Sequence, residues 1–68
     1  MQPHQERVIA ELNDLNEKRD KLATFLLGGI FKTLDKAEQK RLEAQAKIMQ
    51  QYADILRERI ANFQEATK

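Results

Sequence analysis

From Leu42 to Phe63 the chain carries Leu42, Ala46, Met49, Ala53, Leu56, Ile60 and Phe63, spaced alternately by four and three without a break. Such spacing returns each side chain to one stripe of an α-helix and is the repeat that packs knobs into holes against a neighbouring helix. A candidate neighbour lies upstream, where Val8, Leu12, Leu15, Leu22 and Leu26 step by four, three, seven and four. Arg19 stands where the missing member of that seam belongs. Gly28-Gly29, the two glycines of the chain, divide the patterns. The reading is an all-α, antiparallel two-helix hairpin forming one domain over residues 1–68, with a first helix over about 4–27, a loop over about 28–34 and a second helix over about 36–65.

The ends of these helices have their own signals. Pro3 suits a first turn, where its missing amide and fixed φ cost nothing. Gly28 can supply a left-handed residue that closes the first helix. Asp35 followed by Glu38 has the logic of a capping box at the start of the second. Ile30 and Phe31 are apolar residues in the expected loop; they either fold back over the end of the bundle or meet another protein.

A second apolar line, Ile48, Tyr52 and Ile55, runs beside the seam of the second helix and continues in step to Arg59. One neighbour cannot cover both lines. At about 1.5 Å per residue the first helix is roughly 35 Å long and the second about 45 Å, so the C-terminal turns of the second are expected to overhang. With no cysteine for a disulfide and only 68 residues from which to build a core, self-association is the usual remedy. The expectation is an oligomeric helical bundle, a dimer or a higher assembly up to a hexamer.

Composition removes several classes of function. One histidine, no cysteine and no serine leave no nucleophilic triad and no thiol chemistry. Gly-Gly between two helices has no match to a phosphate-binding P-loop. The carboxylates Glu11, Asp14, Glu17 and Asp20 are interleaved with Lys18, Arg19 and Lys21, which reads as a solvated helix face. Neither enzyme, cofactor nor metal is expected. Lys+Arg 12 against Asp+Glu 11 gives a net charge of +1, short of the basic excess that duplex binding calls for. Lys36, Lys40, Arg41 and Lys47 lie together but share their stretch with Glu38 and Glu43. No apolar run approaches the roughly 18 residues of a membrane span, and the N-terminus has no leader pattern, so a cytosolic address is expected.

Binding remains, and the notable residues are cations where apolar residues are expected. Arg19 interrupts one seam and Arg59 extends the Tyr52 line. A guanidinium grips phosphate through two parallel hydrogen bonds and stacks on a base, while tyrosine offers a π-face and a hydroxyl. The plainer reading is that these arginines lay their stems over the core and pair with acids of a neighbouring helix.

The run Arg7-Val8, Glu11, Leu15, Lys18, Leu22 and Phe25, then Leu42, Gln45, Met49, Tyr52, Ile55-Leu56, Arg59-Ile60 and Phe63, resembles a group of small phage and prophage proteins. That group is distantly similar to the helical-hairpin sponges with which phages defeat CBASS and Thoeris immunity. The resemblance implies a non-catalytic homo-oligomer that sequesters cyclic dinucleotides or cyclic ADP-ribose isomers between protomers. Its best-matching positions are Arg7, Met49, Tyr52 and Arg59. Where known sponges carry an aromatic-arginine pair ahead of the first helix, this chain has His4 and Arg7. The candidate ligand-binding set is therefore Arg7, Tyr52, Arg59, His4 and Arg19. The competing function is a helical module that docks on a host protein, with Ile30 and Phe31 as its contact.

Overall fold

The computed structural model describes residues 2–66, with side chains through Phe63. The fold is all-helical: α1 spans Pro3–Leu27, α2 spans Gly29–Thr33 and α3 spans Lys36–Ala66. The two long helices pack along their lengths as an antiparallel hairpin, giving a rod of 52 × 15 × 14 Å. The expected loop is thus replaced by a third, short helix with a connection on either side.

The seam residues of α3 from Leu42 to Phe63 are all buried or half-buried, and so are Val8, Leu12, Leu15, Leu22 and Leu26 of α1. Val8, Leu15, Ala53 and Leu56 form the buried centre, with Leu12, Met49, Ile60 and Phe63 packed against it. Arg19 is half-buried in the α1 seam and donates from Nη1 to Oδ1 of Asn16 at 3.2 Å.

Local chemistry sets the helix ends. Pro3 opens α1, and Gln5, buried one turn in, accepts the Gln2 amide on its Oε1 at 3.0 Å. Asp35 caps α3 as expected: its carbonyl accepts the Gln39 amide and its Oδ1 accepts that of Glu38 at 2.7 Å. The Glu38 carboxylate turns forward instead, to Arg41 Nε at 2.7 Å.

Three expectations are corrected. Gly28 is not left-handed; its φ of −85° and ψ of 167° are extended, and α1 closes when its amide donates to the Phe25 carbonyl. The chain leaves α1 by straightening, because α2 begins one residue later. Ile30 and Phe31 part company: Phe31 folds back edge-on to Phe25, ring centroids 6.4 Å apart, while Ile30 stays 67% exposed. Nor does α3 overhang at Phe63, whose ring meets His4 edge-on in the first turn of α1. A hairpin in that register sets Leu27 roughly level with Lys40, so most of the extra length of α3 falls at its start. There the Gln39 side chain donates from Nε2 to the carbonyls of Phe31 at 3.1 Å and Leu34 at 3.0 Å. Both carbonyls lie at the end of α2, where a helix runs short of its own donors; that of Phe31 also accepts the Leu34 amide at 3.2 Å.

Candidate functional site

On α1, Arg7, Glu11, Asp14 and Lys18 recur at steps of four, three and four, which aligns them on one face beside the apolar seam. On α3, Tyr52 lies at the edge of the seam, 41% exposed. The hairpin brings these two edges together. Arg7, Ala10, Glu11, Asp14, Leu15, Lys18 and Tyr52 line an open groove of about 390 Å³, within the range of about 300–1,000 Å³ common for small-ligand sites.

The lining has a definite chemistry. Leu15 and Ala10 supply apolar lining, Tyr52 is its aromatic residue, and the polar lining holds two cations and two carboxylates. Among the described residues the ion pairs are Arg41 with Glu38 and Arg57 with Asp54, so Arg7 and Lys18 are in neither. A guanidinium and an ammonium presented to solvent beside a π-face suit an anion attached to a planar ring. The carboxylates accept hydrogen bonds from hydroxyl or amino groups of the same ligand.

Of the five sequence candidates, Arg7 and Tyr52 both line this groove. His4 lies against Phe63 at the end of the hairpin. Arg19 lies in the α1 seam, bonded to Asn16, and Arg59 is exposed on the outer line of α3 with Ile48 and Ile55. Lys18, Glu11 and Asp14 are additions of the structure. Their signal in the sequence is the four-three-four spacing from Arg7, which resembles any solvated face until Tyr52 closes the other side.

No group of three metal-ligating side chains occurs among the described residues, and no described helix is long and apolar enough to cross a membrane. A family model described as Sequestin matches residues 2–62, most of the chain. No curated protein and no solved structure matches it.

Proposed function

The chain belongs to the Sequestin family, and from that premise we propose that it is a phage-encoded, non-catalytic sponge for cyclic nucleotide immune signals. Its ligands are cyclic dinucleotides or cyclic ADP-ribose isomers, held by a homo-oligomer in the bacterial cytosol. The family name supports sequestration as the task. The observation that carries the reading to nucleotides is the groove that gathers Arg7, Lys18 and Tyr52 with apolar lining.

In this reading Tyr52 stacks on a base, Arg7 and Lys18 neutralise phosphates, and Glu11 and Asp14 accept from ribose hydroxyls or base amino groups. The signal is removed from solution unchanged, and its effector is never switched on. A small anionic ligand needs few cations, so a net charge of +1 is compatible with the task.

The test is a thermal-shift panel of cyclic dinucleotides, cyclic trinucleotides and cyclic ADP-ribose isomers, with linear nucleotides as controls. A ligand at a hundredfold excess over Kd adds about 2.7 kcal/mol. For so short a chain each kcal/mol is roughly 4–8 °C, so a selective rise of about ten degrees is expected. A flat panel overturns the nucleotide reading. The second reading, docking on a host protein, is favoured by the exposure of Leu27 (87%) and Ile30 at the closed end of the hairpin. Replacing Ile30 with Asp then abolishes capture of that partner and leaves nucleotide binding intact.

A further inference from the structure

The outer line of α3 is apolar and uncovered: Ile48 is 64% and Ile55 55% exposed, with Tyr52 between them and Arg59 beyond. The spacing of these four positions, four-three-four, reads the same in both directions. That symmetry is what an antiparallel pairing of a helix with its own copy requires, because a two-fold interface presents one patch to itself. Ile48 then lies opposite the partner's Arg59, and Tyr52 opposite the partner's Ile55, so that all four positions are seated in consecutive layers. The guanidinium stem of Arg59 covers the isoleucine while its charged head reaches water.

The surface area points the same way. The chain exposes 5497 Å², whereas a compact monomer of 8.0 kDa exposes about 4,450 Å². The difference, about 1,000 Å², goes with the 52 × 15 × 14 Å rod shape, whose uncovered flank is long enough to seat one partner's share of a standard interface, about 800 Å².

The groove gives the pairing a purpose. Arg7 and Lys18 are eleven residues apart on one helix, about 16 Å, and so cannot hold one phosphate together. Tyr52 belongs both to the outer line and to the groove, which places a copy seated on the line directly beside the groove. The two-fold axis of an antiparallel pair stands perpendicular to both helices, so the two grooves fall on the same side and border one trough. Within each hairpin His4 lies level with Phe63. Carrying that register across the pair brings Arg7 to within about 3 Å, along the trough, of the height of the partner's Lys18. Resting on the sponge reading, we propose that a second copy of this chain docks antiparallel on the Ile48–Tyr52–Ile55–Arg59 line, and that each phosphate site of the trough is built from Arg7 of one chain and Lys18 of the other.

Two experiments decide it. Light scattering should give a mass of about 16 kDa, or a multiple of it, and an Ile48→Glu/Ile55→Glu chain should fall to the monomer with its helical circular dichroism kept. Because the chain has no cysteine, an Ile48→Cys/Arg59→Cys chain should oxidise to a disulfide-linked dimer, while Ile48→Cys alone, whose copies lie about 16 Å apart, should not. A monomeric wild type, or a dimer that fails to cross-link in this pattern, overturns the proposal even if a cyclic nucleotide binds. The second experiment titrates the cyclic nucleotide found in the panel into Arg7→Ala, Lys18→Ala and a co-expressed equal mixture. Each variant alone should lose binding, and the mixture should recover about one quarter of the sites, because half of its dimers are mixed and each of those keeps one whole site. No recovery in the mixture overturns the shared site. A cross-linked dimer that binds nothing in the panel leaves the interface standing and removes the nucleotide reading.

Discussion

The two faces of α3 have nearly the same spacing and opposite roles. The inner face, from Leu42 to Phe63, is buried against α1 and holds the hairpin together; the outer line, Ile48 to Arg59, touches water and contributes little to the lone hairpin. Apolar residues at helical spacing therefore mean a contact, but not with which chain. On the inner face the contact is intramolecular. On the outer face isoleucine, tyrosine and arginine stay exposed in the lone hairpin, and the contact proposed there is with a second copy.

Substitutions separate the two faces, and the largest effect belongs to the inner one. Leu56 is fully buried, so Leu56→Ala is expected to cost about 2–5 kcal/mol, enough to unfold much of the protein in a urea titration followed by circular dichroism. Unchanged unfolding would mean that the centre of the hairpin lies elsewhere. On the outer face Tyr52→Ala should shift that titration far less than Leu56→Ala, by no more than its packing on the proposed second copy, yet remove about 1–3 kcal/mol of ligand affinity, the usual worth of a base stacked on an aromatic ring. Calorimetry with the panel ligand checks this, and equal loss of stability and affinity would erase the distinction between faces. Asp35→Ala removes the cap of α3 and should lower stability by about 1 kcal/mol, seen as a melting point several degrees lower with ligand affinity retained. The smallest effect is a gain. Gly29 has a negative φ and nothing within 4 Å of where a Cβ would stand, so Gly29→Ala should raise stability by about 0.4–1 kcal/mol. A lower melting point would show that the connection uses glycine's freedom in a way this conformation does not.

Much of this was legible in the residues, and the exceptions share a cause. The seams and the Asp35 cap are local signals, repeated every few residues, and each fell where the spacing put it. The short helix α2 is five residues, less than two turns, and has no period to read. Its end is satisfied by Gln39, a side chain of the next helix, which nothing nearby in sequence announces. The expected overhang is absent because helix lengths alone carry no register, which the meeting of His4 with Phe63 fixes. For the groove, Tyr52 and Arg7 stood out by residue type, whereas Lys18, Glu11 and Asp14 gained meaning only when a tyrosine from the other helix was brought alongside.

The hairpin is only two helices thick, and among the described residues its buried centre contains four apolar side chains. A binder that never turns over must be present in numbers matching the molecules it removes, unlike a catalyst, for which a few copies suffice. On the proposed sponge reading, synthesis in such numbers favours a small fold. With a second copy seated on the outer line of α3 as proposed, two such hairpins together enclose apolar surface that each alone leaves open.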